Sequence, residues 1–336
     1  LMNNIGIVVI GRNEGNRLKI SLLSAIGENR TVVYVDSGST DDSVQLANSL
    51  GANVIELDMS IPFSAAHARN TGLFHLLKIK PDIEFVQFLD GDSELMEGWL
   101  ESAEAELVNQ KDLVVVFGKL KERYPERSIY NSFCNVEWDT PVGEALSCGG
   151  TAMMRVSALV EIGGYNPSLI AGEEPEMCVR LRRNGGRILR INADMAWHDA
   201  DINLFSEWWM REIRNGHAYA QGFWLHGLSR QKHWVRESLR SWFWALFLPA
   251  LAIISLIPTK GLSIFFLLIA YSVLGFRVFL RTQNKGFNSR DAMLYAVFCG
   301  VLEKYPKLIG QIQFYIFKLL KRQRKVVDYK NTASAS

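Results

Sequence analysis

Cysteine is scarce in this chain. Its four cysteines, Cys134, Cys148, Cys178 and Cys299, stand in none of the paired spacings of zinc or redox motifs and are too few for a disulfide framework. A reducing, cytosolic setting is therefore expected. No secretory signal is expected at its start, because the apolar run at residues 3–10 is too short for an h-region and leads straight into a strand pattern. Repeats and low-complexity segments are absent apart from the small-residue run Ala333-Ser334-Ala335-Ser336. The C-terminal part is poor in acid. Residues 203–336 carry 19 Lys/Arg against 6 Asp/Glu, net +13, whereas residues 1–202 carry 18 against 29, net −11, and the two sum to the chain's +2. A uniformly basic nucleic-acid binder would look different, so no nucleic-acid partner is expected. The basic part also holds apolar runs at 242–258 and 261–280, and its charge suits anionic membrane lipids better.

What is there begins with a rhythm. Strand-like runs at 5–10, 31–35, 53–57, 84–89 and 113–117 alternate with helical patterns at 16–26, 41–50, 64–77 and 97–110, whose apolar residues recur three or four apart. That alternation predicts an α/β fold with a mostly parallel sheet and flanking helices. Open sheets of this kind bind ligands at the carboxyl ends of their strands. Three polar clusters land on that edge: Gly11-Arg12-Asn13-Glu14, then Asp36-Ser37-Gly38-Ser39-Thr40-Asp41-Asp42, then Asp90-Gly91-Asp92.

Asp90 and Asp92, two apart after an apolar strand, can face one cleft, and carboxylate oxygens suit hard cations such as Mg2+ or Mn2+ that also bind phosphate. Asp-Gly-Asp is also an ordinary surface turn, in which Gly91 permits a bend that Cβ-bearing residues resist. The coincidence of three clusters on one edge favours the site. Asp41 is expected to cap the following helix. Asp36, at a strand end, could accept an imide N–H from a pyrimidine base. Arg69, in the small-residue helix start Ser64-Ala65-Ala66-His67-Ala68-Arg69-Asn70, could reach a diphosphate or the base edge, or be a plain surface arginine.

Taken together, Gly11-Arg12-Asn13-Glu14, Val35 to Asp42, Ala65 to Asn70 and Phe88-Leu89-Asp90-Gly91-Asp92 resemble, in order and spacing, the successive motifs of family 2 glycosyltransferases with the GT-A fold. The resemblance covers about residues 4–200. It implies an inverting transfer from a nucleotide-diphospho-sugar, with Asp36 on the base, Asp90 near the ribose and Asp92 on an Mn2+ or Mg2+ ion. Ile10, Arg12, Glu14 and Arg69 are implied as further donor contacts. His198, in Trp197-His198-Asp199, lies where the family often places a histidine that completes the metal site, and an imidazole among oxygens would favour Mn2+. Gly149, in Cys148-Gly149-Gly150, is expected to form a wall of the sugar pocket, where a missing side chain lets substrate approach the backbone. Gly163-Gly164-Tyr165 reads as turn chemistry.

Inversion requires a base on the face opposite the departing diphosphate. Gly172-Glu173-Glu174-Pro175-Glu176 offers one: Pro175 suits a first helical turn, which places Glu174 near the N-cap, where free amides and the helix dipole favour an ionised carboxylate. The family usually has Glu-Asp here, so Glu174 stands in the place of the usual base with one extra methylene, and Glu173 is the alternative.

Residues 261–280 contain only Arg277 as a charge and are long enough for a helix to cross about 30 Å of hydrocarbon. With 242–258 they predict a transmembrane hairpin whose basic flanks place both ends in the cytoplasm. The expected division is 1–202 catalytic domain, 203–240 amphipathic interfacial helices, 241–282 hairpin and 283–336 a basic amphipathic region ending in Lys321-Arg322-Gln323-Arg324-Lys325. Residues 204–221 carry Trp208, Trp209, Arg211, Arg214, His217 and Tyr219 on a helix expected to lie along the membrane surface, where Trp209, Arg211 and Arg214 could instead grip diphosphate. The resulting expectation is a membrane-attached enzyme adding a sugar to a lipid-linked or other membrane-associated acceptor, as in exopolysaccharide or surface-glycan assembly. A processive synthase is the alternative, although the Gln-x-x-Arg-Trp motif is absent, and a non-catalytic nucleotide-sugar scaffold is the other.

Overall fold

A computed structural model describes residues 4–27, 30–61 and 63–321. The expected basic run at 321–325 therefore lies outside the described residues beyond Lys321. In chain order the elements are β1 (Ile5–Gly11), α1 (Asn16–Ala25), β2 (Thr31–Asp36), α2 (Ser43–Ser49), β3 (Asn53–Glu56), α3 (Ala65–Ile79), β4 (Phe85–Asp90), β5 (Ser93–Leu95), α4 (Trp99–Asn109), β6 (Leu113–Glu122) and α5 (Ile129–Trp138). There follow β7 (Gly143–Glu144), β8 (Ala152–Arg155), α6 (Val156–Glu161), α7 (Glu173–Arg183), β9 (Arg187–His198), α8 (Phe205–His226), α9 (Val235–Trp242), α10 (Leu248–Ile254), α11 (Leu262–Gln283), α12 (Ser289–Tyr295) and α13 (Lys304–Leu319). The chain forms two compact units, Leu1–Arg123 with Glu137–Ala200, and Tyr124–Val136 with Asp201–Ser336.

The first unit is a mixed, mostly parallel sheet in the order β3-β2-β1-β4-β8-β6-β9-β5, with β7 paired to β9. Its central strands are apolar on both faces: Ile7, Val8, Val9, Val33, Val35, Val86, Phe88 and Leu89 are all buried. Strands of that kind need helices over both faces. Small residues on α3 let it lie close to the sheet; a Cβ on Gly72 would sit 2.3 Å from Val8 Cγ1. The parallel register sets Ile10 beside Asp90 and Gly11 beside Asp36, so the polar strand ends share one level of the sheet edge.

Three short strands that pair antiparallel, β5, β7 and β8, were not visible in the alternation. β8 pairs with β4, matching Phe88 to Ala152, which carries the preceding Gly150 and Thr151 toward Asp90. The three-residue β5 pairs with the far end of β9, matching Ser93 to His198. β9 contains His198 as its last residue.

The second unit is helical. α8 and α13 meet at glycines: a Cβ on Gly216 would fall 2.0 Å from the Lys307 carbonyl oxygen, and one on Gly310 would fall 1.9 Å from that of Ile213. Lys307 lies inside this contact, with Nζ 3.2 Å from Glu212 Oε2 and 2.6 Å from Glu303 Oε2. Burial of the partnered lysine lets the helix run through. Trp208 and His217 likewise turn inward rather than along a surface; Trp208 is stacked on Tyr130 and edged by Phe298. α9 continues through a π-helical stretch, Phe243–Phe247, into α10, giving the helix Val235–Ile254. This helix and Leu262–Gln283 are long and apolar enough to cross a membrane. The second exposes Phe265, Phe266, Leu268, Ile269, Val273, Phe276 and Leu280, which a water-soluble helix would cover.

Candidate active site

β4 delivers Asp90 at its last residue, and Gly91 bends the chain by close approach rather than by an unusual backbone angle. Its N–H donates to the Ile10 carbonyl at 2.8 Å, and an added Cβ would lie 3.1 Å from that oxygen. Asp92 follows, and its carbonyl accepts from Asp199 N at 3.0 Å. Because β5 pairs with β9, His198 arrives beside it, with Nε2 3.4 Å from Asp92 Oδ1. Asp90, Asp92 and His198 each bring a ligand atom to within 4.8 Å of the others. Trp138 packs on the imidazole with ring centroids 4.7 Å apart, and the buried His198 Nδ1 has no hydrogen-bond partner. Two carboxylates and an imidazole so placed fit a divalent cation of the Mn2+ or Mg2+ kind.

Arg69 lies at the centre of the other half. The inner face of α3 carries it to 3% side-chain exposure. Its Nη2 donates to Asp90 Oδ1 at 2.7 Å, while Nη1 meets Glu173 Oε1 and Glu174 Oε1, each at 2.9 Å. Its guanidinium is therefore taken by three carboxylates and does not present itself as a free diphosphate grip. Burial alone would lower its pKa, but Glu174 and Asp90 outweigh that and raise it well above the ordinary value. The Tyr165 ring lies under the guanidinium, 5.7 Å to its centroid, and Asn70 fixes that tyrosine by bonding its backbone N–H and C=O at 2.8 and 2.7 Å. The turn at Gly163 and Gly164, with φ of 75° and 72°, thus delivers a supporting side chain.

Gly150 seals the cluster. An added Cβ there would fall 2.4 Å from Arg69 Nη2, 2.6 Å from Asp90 Oδ2 and 3.2 Å from Glu174 Oε1, whereas one on Gly149 meets nothing within 4 Å. The tight glycine is the second of the pair, a distinction that needed β8 in place.

Glu173 and Glu174 open α7 behind the left-handed Gly172. The expected effect of free amides and helix dipole does not prevail at Glu174. Burial, then the neighbouring Glu173 carboxylate, push its pKa from 4.5 to about 7, with Arg69 only partly offsetting them. Glu176 is occupied elsewhere, in a bidentate pair with Arg180 that also ties Arg180 Nη1 to the Ile162 carbonyl.

Asp36 is 1% exposed and accepts four hydrogen bonds, from Tyr34 Oη and Ser39 Oγ on Oδ1 and from Gly38 N and Ser39 N on Oδ2. A carboxylate has about four such positions. A base N–H would have to replace one of the two hydroxyls. Asn13, at φ 55°, links the first two loops by donating its N–H to Ser39 Oγ at 2.9 Å and accepting from Thr40 N at 2.7 Å. Arg12 stacks over Phe63 at 4.7 Å, Glu14 pairs with Arg17 at 2.8 Å, and half-buried Ile10 contributes its carbonyl to the Gly91 turn. Asp41 accepts from Ser43 N at 3.1 Å at the start of α2. Trp209, Arg211 and Arg214 lie on α8 in the second unit, with Arg211 Nη1 3.0 Å from Glu212.

Residues 6–163 match the profile of glycosyl transferase family 2. Two curated relatives, both named pre-mycofactocin glycosyltransferase and from two strains of Mycobacterium tuberculosis, are 28% identical over 227 residues, 63% of this chain. The chain spans about half the length of these curated relatives, 46%. Among solved structures, the mannosyltransferase PcManGT from Pyrobaculum calidifontis, in complex with GDP-Man and Mn2+, superposes over 93% of this chain and 87% of its own, with TM-score 0.58 and 14% identity. The family 2 profile covers just under half of the chain, which is similar to those glycosyltransferases and has the GT-A fold. Its Asp90, Asp92 and His198 cluster fits a divalent metal.

Proposed function

We propose that this chain catalyses a metal-dependent inverting transfer of one sugar from a nucleoside-diphospho-sugar, of the UDP type, to a hydroxyl of a membrane-associated, lipid-linked saccharide. The observation that carries the reading is the buried guanidinium of Arg69, which ties Glu174 to Asp90 and so holds the base against the cation cluster. Asp90, Asp92 and His198 would hold Mn2+ or Mg2+, which when bound neutralises the charge of the departing diphosphate. Glu174, ionised, accepts the proton of the acceptor hydroxyl as its oxygen attacks the anomeric carbon. The bond from that carbon to the diphosphate oxygen breaks on the opposite face, and configuration inverts. Arg69 and Gly150 keep the carboxylates at fixed separation. Glu173, sharing Arg69, serves as the positioning carboxylate. Asp36 shapes the loop at Ser37 to Thr40 and meets the base only if a hydroxyl gives way. Ile10, Arg12, Glu14 and Gly149 line the donor's approach along the same sheet edge.

The two exposed apolar helices support attachment to the cytoplasmic face of the inner membrane, and an exopolysaccharide or surface-glycan pathway suits an acceptor held there. The test is a screen of nucleotide-sugars by Mn2+-dependent thermal shift, followed by transfer to membrane extract. A donor that stabilises the protein only with Mn2+ and yields a product longer by one sugar, inverted at the anomeric carbon, is expected. Products longer by many sugars would favour a processive synthase, and no nucleoside diphosphate release from any donor would remove the catalytic reading.

A further inference from the structure

The start of the helix Val235–Ile254 is divided lengthwise. Arg236 and Arg240, four residues apart, form one exposed edge, with exposed Lys232 in the turn just before the helix, and Val235, Leu239 and Phe243, also four apart, form the stripe beside it. Together these six residues line an open cavity of about 460 Å³. The rotation that exposes them is fixed from behind. Ser238 and Ser241 are buried, and Ser238 Oγ and Trp242 Nε1 both donate to Gln311 Oε1 on α13, the latter at 3.0 Å. The helix therefore cannot turn this face inward without breaking buried hydrogen bonds. Charge is equally one-sided: between residues 213 and 290, ten Lys/Arg meet a single acid, Glu237.

We infer that an anionic glycerophospholipid of the bilayer docks here, with its phosphodiester on the three cations at the rim and an acyl chain against the apolar lining of the cavity. The inference rests on the reading that Val235–Ile254 enters a membrane. Arg236 and Arg240 offer planar forks suited to the two unesterified phosphate oxygens, and Lys232 adds a point charge at the rim. Their aliphatic stems lie along apolar surface while the charged heads reach the headgroup level. Leu239 and Phe243 continue the groove in the direction of the apolar helix, where an acyl chain would lie. The occupant follows from charge complementarity: three cations beside an apolar floor, at the polar end of a span, match a ligand that is anionic at one end and hydrocarbon at the other. A zwitterionic lipid brings a cation of its own to the same rim, and inorganic phosphate has nothing for Leu239 and Phe243.

The experiment uses the full chain purified in detergent. Phosphatidylglycerol, phosphatidylcholine and inorganic phosphate are titrated separately, with binding read by native mass spectrometry and by tryptophan fluorescence. Phosphatidylglycerol is expected to bind at least tenfold more tightly than phosphatidylcholine. Lys232→Gln/Arg236→Gln/Arg240→Gln is expected to lose affinity by roughly fivefold per cation, on the order of a hundredfold in all. The control Lys78→Gln/Lys80→Gln/Lys111→Gln should bind as the parent does. Should the triple variant fail to fold, Arg236→Gln and Arg240→Gln singly, each with the fivefold loss, give the same answer. Equal affinity for the two lipids, an unaltered triple variant, or phosphate competing as well as the lipid would overturn the site. Alkaline carbonate extraction of membranes keeps the two readings apart. Protein retained in the membrane but indifferent to headgroup sinks only this inference, whereas protein released into the supernatant sinks the membrane reading beneath it.

Discussion

Replacing Glu174 by glutamine separates the chemistry of a base from the cost of burying one. Burial and Glu173 hold this carboxyl at about 7 instead of 4.5. That interval corresponds to about 3 kcal/mol in favour of the neutral acid. Since the folded value lies above the unfolded one, the group's contribution to stability is complete below about 4.5 and is lost as pH rises to about 7, beyond which it is constant. Glutamine imitates the neutral acid at every pH and still offers Arg69 an acceptor oxygen. Glu174→Gln should therefore match the parent near pH 5 and exceed it in Tm by a few degrees at pH 8, as read by thermal denaturation across a pH series. Transfer should fall by roughly 10²- to 10⁴-fold while donor binding stays within a few-fold. In the parent, activity should rise through about pH 7 as the base ionises. A variant that transfers at the parental rate, with a Tm gap that does not change between pH 5 and 8, would refute both the base assignment and the reasoning about burial.

Three further outcomes follow from particular contacts. Gly150→Ala must push Arg69 and Asp90 aside, costing about 1–3 kcal/mol in Tm measurements and on the order of a hundredfold in transfer, while Gly149→Ala should be silent in both. Asp36→Asn can keep its oxygen on the N–H donors at Gly38 and Ser39 and turn its N–H₂ to the Tyr34 and Ser39 hydroxyls, which must then accept, so stability should drop by about 1 kcal/mol, with donor KM rising more than kcat falls. Gly216→Val places a side chain against the Lys307 backbone, which cannot yield, and should abolish folded protein in size-exclusion chromatography, whereas Gly185→Asn, at a left-handed helix end with open space, should be tolerated.

Much of the first unit was legible because its central strands are apolar on both faces and its polar loops fall at their carboxyl ends. The places of Asp36, Asp90 and Asp92 along one sheet edge were readable for that reason. What stayed hidden depends on pairing between distant segments. The three-residue β5 carries no periodicity of its own, yet its pairing to β9 is what sets His198 beside Asp92 and beneath Trp138. Gly150 looked no different from Gly149 until β8 was laid against β4. The charge state of Glu174 was read from its helix start, where amides and dipole favour ionisation, but burial beside Glu173 outweighs a terminal dipole. In the basic region 283–336, Lys304 and Lys307 are partners of Glu303, and Lys307 of Glu212 as well, and only the contact with α8 shows the latter.

The most direct test of the central claim measures Mn2+ and transfer on the same preparations. Electron paramagnetic resonance of Mn2+ with nucleoside diphosphate, on the parent, Asp92→Asn and Glu174→Gln, is paired with single-turnover transfer. The account predicts bound Mn2+ in the parent and Glu174→Gln, its loss in Asp92→Asn, and transfer in the parent alone. Undiminished Mn2+ binding by Asp92→Asn, or transfer by Glu174→Gln, would contradict it.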